Sequence, residues 1–243
     1  RACEKVGIHS TKLQYTSDML ESDLLEKIDE LNHDDTVDGF IVQLPLPLHI
    51  NKYKVIERID FRKDVDGFHP INIGRMAKDM PAFLPATPNG ILKLLEHYQI
   101  PTKGKHCVVV GRSDIVGKPI SMLMGRWGYP GDCTVTLTHK YTEGLASYTR
   151  QADILITAVG QPSLITGDML KNGAVGVDVG ITRVNDETRE RGYVLKGDID
   201  YEQGKERCSY LTPVPGGVGP MTIASLLQNT LLAAKGEVFH EDH

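Results

Sequence analysis

With 243 residues, 40% hydrophobic and 24% charged, the chain has the make-up of an ordinary globular protein of one large or two modest domains. Its net charge of −5 gives no global basic footprint for nucleic acid, and no apolar run approaches the roughly 20 residues of a membrane span. Cys3, Cys107, Cys133 and Cys208 are scattered without a C-x-x-C pair, which points to a reducing compartment and no metal site.

The chain opens at Arg1 inside a helix-like stretch that runs to Val6 and stops at Gly7, with no cap and no initiator Met. Upstream sequence is therefore expected to be missing. Ile8–Tyr15 reads as a strand. Glu21–Asn32 reads as a helix with Leu24, Ile28 and Leu31 on one face. Val37–Leu44 reads as a strand running into Pro45-Leu46-Pro47, Asn51–Ile59 as a short helix, and Lys63–Gly67 as a polar corner. Thr87 is expected to cap a helix through about Tyr98, with Pro88 at its first position.

After Lys103-Gly104-Lys105 the pattern changes. His106–Val110 is a short β-branched run of the kind found in central parallel strands. A helix over Pro119–Arg126 follows, then a strand at Cys133–Thr138, a helix near Gly144–Ala152, and strands at Ile154–Ala158, Ala174–Val179 and Cys208–Leu211. This alternation predicts an α/β fold with a doubly wound parallel sheet. Tyr129–Asp132 reads as a turn. His240 and His243, in an acidic tail, read as a solvated terminus rather than a metal site.

Three places carry chemistry. The run Leu211–Thr222 packs Pro213, Pro215, Pro220, Gly216, Gly217 and Gly219 ahead of a helix over Met221–Ala234, a loop shaped for something to lie against, with Pro220 in the first helical turn. The first strand of the second region ends in Gly111-Arg112-Ser113-Asp114-Ile115-Val116-Gly117-Lys118-Pro119. Its glycines allow close approach, and a phosphate suits the helix start that follows. The second strand ends in Thr138-His139-Lys140-Tyr141, without the acid that NAD sites use at the ribose; Lys140 and Arg112 instead suit a 2′-phosphate, so NADP is the expected cofactor. Lys140 taken alone reads equally as a solvated lysine. In the first region Gln43 stands where a strand stops, and Asp64 and Asp66 share a corner. A carboxylate there can accept two parallel N–H bonds from a heterocycle edge, although either Asp alone reads as turn or cap chemistry.

The segments VQLPLP (42–47), KDVDGF (63–68), TP-x-G (87–90), VVVGRS-x-IVGKP (108–119), A-x-GQP (158–162), DVGI (178–181), GD (197–198) and TPVPGGVGPMT (212–222) together resemble the bifunctional methylenetetrahydrofolate dehydrogenase/cyclohydrolase family along essentially the whole chain. The resemblance implies a substrate domain over 1–86 completed by a C-terminal helix over 220–243, a Rossmann-like NADP-binding domain over 87–219, and a cleft between them. It implies oxidation of 5,10-methylenetetrahydrofolate by NADP⁺ and hydrolysis of the methenyl product to 10-formyltetrahydrofolate. It gives Gln43 and Asp66 catalytic-pocket roles, flanked by Val42 and Leu44. It assigns Gly111, Arg112, Ser113, Gly117, Lys140 and Ile181 to the cofactor, and Pro215, Gly216, Gly217, Val218 and Gly219 to the folate. Tetrahydrofolate derivatives are the expected partners, a homodimer the expected assembly, and the cytoplasm the expected location, with a mitochondrial one kept open.

The family also carries Tyr-x-x-x-Lys just upstream of the residues matching Arg1-Ala-Cys-Glu, and its lysine serves the hydrolysis. The resemblance therefore implies a fragment of a longer enzyme; the alternative is a chain limited to the dehydrogenase step. His139–Thr142 departs from the family, where a Ser-containing run is common, and Arg126–Asp132 reads as a slightly lengthened loop. Two competing readings are an NADP-linked dehydrogenase of shikimate type, for which the expected Lys–Asp pair is not evident, and a folate- or nucleotide-binding module without catalysis.

Overall fold

The structure is a computed structural model that describes residues 2–239. The chain divides into two compact units. One takes the chain up to Ala86 and again from Ile223 onward; the other is Thr87–Thr222.

The first unit is mostly helical: α1 (Ala2–Lys5), α2 (Glu21–His33), α3 (Lys52–Arg58) and α4 (Pro70–Ala77). Leu24 and Ile28 on α2 pack with Ile50, Val55 and Ile59 around α3. Each such side chain, taken fully from water, contributes roughly 1.5–3 kcal/mol. At the surface, Arg58 holds Asp29 through two bonds of 2.6 and 2.5 Å, tying α3 to α2. Ile8–Tyr15 is not a strand, and Val37–Leu44 is reduced to a single parallel bridge, Phe40 to Asp64. A strand needs a partner, and no described segment forms a ladder with either.

The second unit begins with α5 (Ala86–His97) and alternates β1 (His106–Val110), α6 (Gly117–Gly125), β2 (Thr134–Thr138), α7 (Leu145–Thr149), β3 (Ile154–Thr157) and β4 (Val175–Asp178). A hairpin of β5 (Thr182–Asn185) and β6 (Tyr193–Lys196) follows, then α8 (Tyr201–Arg207), β7 (Tyr210–Leu211) and the first turn of α9 (Val218–Lys235), whose residues from Ile223 onward belong to the first unit. The five-stranded sheet runs β2-β1-β3-β4-β7, every pair parallel. The strand runs legible in the sequence all enter it, trimmed by a residue or two at their ends. β1 and β3 are buried on both faces, Cys107, Val108, Val109, Leu155 and Ile156 having no exposure, which is why they read as continuous apolar runs. The order reverses between β1 and β3, and in such sheets that reversal marks where ligands sit, at the carboxyl ends.

Other expectations shift. α5 starts at Ala86, so Thr87 lies in its first turn rather than capping it, and the Thr87 hydroxyl pairs with that of Thr222 at 3.0 Å. α9 starts at Val218, three residues early, and Pro220 still falls in its first turn, where no N–H is needed. Arg1, His240 and His243 lie outside the described residues. Among the described residues no group of His, Cys, Asp and Glu is arranged to hold a metal, and no helix is long and apolar enough to cross a membrane. The four cysteines are free.

Candidate functional site

In the first unit the corner Lys63–Gly67 is built by Asp64. Its buried carboxylate accepts from the backbone N–H of Gly67 (3.2 Å) and His69 (2.7 Å) and from the Asn72 side chain (2.9 Å). Asn72 also donates to the Phe61 carbonyl, and its own oxygen accepts from Phe83 N–H. From α9, Asn229 donates to the carbonyls of Val65 and Leu84, each at 2.9 Å. Asp64 is thus turn and cap chemistry, the role open to either aspartate of the corner.

Asp66 is different. No described group donates to its carboxylate, yet it is half-buried, lining a small crevice with Val42, Leu44, Val55, Ile59 and Phe68. Burial, and then the nearby Asp64 charge, push its carboxyl up to about 7. A desolvated carboxyl with no donor of its own suits a heterocycle edge bearing adjacent N–H groups. Val42 and Leu44 share the crevice, while Gln43 is exposed and donates through Nε2 to the Leu44 carbonyl at 2.8 Å. The Leu44–Pro45 bond that follows is cis.

In the second unit the turn after β1 is shaped by two glycines. A Cβ on Gly111 would lie 2.4 Å from the Ala158 carbonyl oxygen, and one on Gly117 would lie 1.9 Å from the Gly111 carbonyl oxygen. Gly111 also has φ 111°, in the region that favours glycine. Ser113 Oγ accepts from the N–H groups of Val116 and Gly117, both at 3.2 Å, and so closes the turn that leads into α6. Gly111 N–H donates to the Thr138 carbonyl at 3.0 Å, joining the carboxyl ends of β1 and β2. The exposed Arg112 and Lys140 extend from those ends toward the same Tyr141 ring, at 5.9 and 4.8 Å from its centre. Neither cation has a carboxylate partner among the described residues. The turn therefore fits a dinucleotide phosphate group, with two cations left for a further phosphate.

Ile181 is exposed just beyond β4, next to Gly180 and near in the chain to the first of two buried aspartates, Asp178 and Asp198, that read in the sequence only as motif letters. Asp198 accepts from Val159 N–H (2.7 Å) and Gln161 N–H (2.8 Å). Asp178 accepts from the N–H groups of Gly180, Asp198 and Ile199 and from the Thr157 hydroxyl, and burial pushes its carboxyl up to about 6. The two are interlocked: a Cβ on Gly180 would lie 2.2 Å from Asp198 Oδ1, and one on Gly197 would lie 2.1 Å from Asp178 Oδ2. The signal was in the GD and DVGI segments, where glycine beside aspartate marks backbone passing close to a carboxylate.

The loop 212–217 joins this framework. Asp178 N–H donates to Thr212 Oγ1 at 2.8 Å, Gly217 N–H returns to the Pro213 carbonyl at 2.9 Å, and Val214–Pro215 is cis. Pro215 and Gly216 are exposed, Gly217 and Gly219 half-buried, and Val218 faces the interior. The structure thus brings Val42, Leu44 and Asp66 together in one unit, and Gly111–Ser113, Gly117 and Lys140 in the other, with Ile181 and Pro215–Gly219 on neighbouring loops of that second unit.

The tetrahydrofolate dehydrogenase/cyclohydrolase catalytic domain matches residues 1–66, and the NAD(P)-binding domain of the same family matches residues 85–238. The bifunctional protein FolD of Christiangramia forsetii is 60% identical over 96% of this chain and 78% of its own length. The crystal structure of the bifunctional enzyme FolD, methylenetetrahydrofolate dehydrogenase/cyclohydrolase, from Campylobacter jejuni is 47% identical at a TM-score of 0.90, over 97% of this chain and 80% of that one. The Trypanosoma brucei FolD, solved with NADP cofactor and inhibitor, is 35% identical at a TM-score of 0.91, over 98% of this chain and 80% of that one.

Proposed function

This chain belongs to the tetrahydrofolate dehydrogenase/cyclohydrolase family, and from that premise we propose that it oxidises 5,10-methylenetetrahydrofolate with NADP⁺ and hydrolyses the methenyl product. The observation that carries the reading is that both family domains match, while each unit presents the chemistry its half of the reaction needs: a donor-free carboxyl over a crevice, and a glycine turn flanked by unpaired cations.

Gly111 and Gly117 let the backbone approach the pyrophosphate of NADP, Ser113 fixes the N–H groups of the turn, and Arg112 and Lys140 bind the 2′-phosphate. When bound, NADP⁺ supplies a hydride acceptor at its nicotinamide ring. Ile181, exposed next to the Gly180 whose N–H Asp178 holds, would offer that ring an apolar side chain. Asp66 accepts two N–H bonds from the pterin edge while Val42 and Leu44 cover its face. Gln43 holds the polar end of the reacting centre, and the Pro215–Gly219 loop lies along the folate. Loss of hydride from the methylene carbon leaves the methenyl cation; water adds to that carbon, a C–N bond opens and a proton is released, giving 10-formyltetrahydrofolate. Hydride transfer needs alignment and exclusion of water more than a strong base, which suits a site with no nucleophile–His–acid set. A homodimer in the cytoplasm completes the proposal; the four free thiols suit a reducing compartment.

Product analysis tests the function. Methylenetetrahydrofolate and NADP⁺ are expected to yield NADPH and a formyl product; binding of both ligands without turnover would support a binding module instead. Cofactor choice is tested separately. Arg112→Ala and Lys140→Ala are each expected to weaken NADP⁺ by about 10- to 100-fold, the worth of one charge-assisted bond, and to affect NAD⁺ far less. Equal losses for both cofactors would remove the 2′-phosphate role from these residues.

A further inference from the structure

The segment His139–Thr142 follows the end of β2, and its tyrosine has no part in the reading above. Tyr141 is 68% exposed, too open to be core packing. Its setting is nevertheless built. Thr142 Oγ1 accepts from His139 N–H at 3.0 Å, His139 Nδ1 accepts from Tyr141 N–H at 3.3 Å, and the His139 ring meets the Tyr141 ring edge-on at 6.1 Å. The ring therefore stands on a fixed turn at the end of β2. Onto it come Lys140, its chain neighbour, and Arg112, which arrives from the end of β1. The Arg112 contact is the informative one, because sequence adjacency does not produce it.

Two like charges without a carboxylate repel, and each long side chain samples many rotamers in solvent. A shared ring offsets part of both effects, since cations are drawn to its negative π surface. We propose that Tyr141 is a specificity-determining, positioning residue: its ring holds the Arg112 guanidinium and the Lys140 ammonium as a preset pair for a ribose 2′-phosphate. The inference rests on the assignment of that phosphate to Arg112 and Lys140. It predicts that cofactor choice depends on a residue that donates no hydrogen bond to the phosphate and carries no charge. Removing the ring leaves both cations present but unplaced.

The test compares Tyr141→Leu and Tyr141→Phe, using NADP⁺ against NAD⁺ and adenosine 2′,5′-bisphosphate against adenosine 5′-monophosphate as probes. Tyr141→Leu is expected to lower the NADP⁺-to-NAD⁺ ratio of kcat/KM by roughly 5- to 30-fold, the range of two exposed cation–π contacts. The loss should fall in KM for NADP⁺ rather than in kcat, and the bisphosphate should lose affinity by a similar factor relative to the monophosphate. Tyr141→Phe, which keeps the ring, should restore the ratio. An unchanged ratio in Tyr141→Leu, with Arg112→Ala still selective against NADP⁺, would overturn the role of Tyr141 and leave the phosphate assignment standing. Equal loss of both cofactors in Arg112→Ala and Lys140→Ala would overturn the assignment itself.

Discussion

Asp66→Ala is expected to lower kcat/KM for methylenetetrahydrofolate by about 100-fold or more. The proposed pterin contact consists of two charge-assisted bonds to one heterocycle edge, which this change removes together; each is worth about 1.5–3 kcal/mol, and 1.4 kcal/mol is tenfold. Steady-state kinetics with NADP⁺ saturating measures the loss. Asp66→Asn keeps the shape and is expected to recover little of it, because an amide turns one acceptor into a donor.

The same carboxyl sets a pH dependence with two opposite signs. Burial raises its folded value to about 7, above the ordinary aspartate value of 3.8 that the unfolded chain has. Between those values the folded state binds the extra proton, so the Asp66 contribution to stability falls as pH rises from about 4 to about 7. Binding runs the other way, since only the carboxylate accepts both N–H bonds, and kcat/KM should climb through pH 7. Asp66→Asn should flatten both limbs; thermal melts and kinetics at pH 5, 6, 7 and 8 measure them. A rising kinetic limb that persists unchanged in Asp66→Asn would assign it to another group.

Asp198→Ala is the second large effect, and it falls on stability and cofactor binding together. The carboxylate is fully buried and satisfies two backbone N–H groups, those of Val159 and Gln161. Leaving both unsatisfied costs about 2–6 kcal/mol, enough to threaten folding of the unit. Gly180→Ala reaches the same point from the other side, since its new methyl would lie 2.2 Å from Asp198 Oδ1. Denaturant unfolding of Asp198→Ala and Gly180→Ala should show losses for both, and what remains folded should bind NADP⁺ weakly. Wild-type stability in Asp198→Ala would mean that these loops are held by other contacts.

The sheet was legible in the sequence because its central strands are buried on both faces and write themselves as β-branched runs, as in Cys107–Val110 and Ile154–Ile156. Ile8–Tyr15 and Val37–Leu44 have strand-like residues without a described neighbour to form a ladder with, and pairing is a property of the fold rather than of the segment. α8 announces itself only by a cap: Asp200 accepts from Gln203 N–H, an Asp-x-x-Gln start in the sequence. α4 begins at His69-Pro70, where an imidazole nitrogen takes the capping role usually given to Ser or Asp.

At the site, motif letters gave the residue set but not the division of labour. Asp64 and Asp66 look equivalent in the sequence. Only the donors around Asp64, and their absence around Asp66, separate a structural carboxylate from one free to meet a ligand. Likewise Asp178 and Asp198 lie twenty residues apart in the chain, and their interlock through Gly180 and Gly197 depends on distances that a linear pattern does not contain.

The central claim is that hydride leaves the folate methylene carbon for the nicotinamide. Methylenetetrahydrofolate deuterated at that carbon, incubated with the enzyme and NADP⁺, tests it by mass spectrometry of the reduced cofactor. One deuterium per NADPH formed is the predicted result; reduced cofactor carrying only solvent hydrogen, or none formed while both ligands bind, would contradict it.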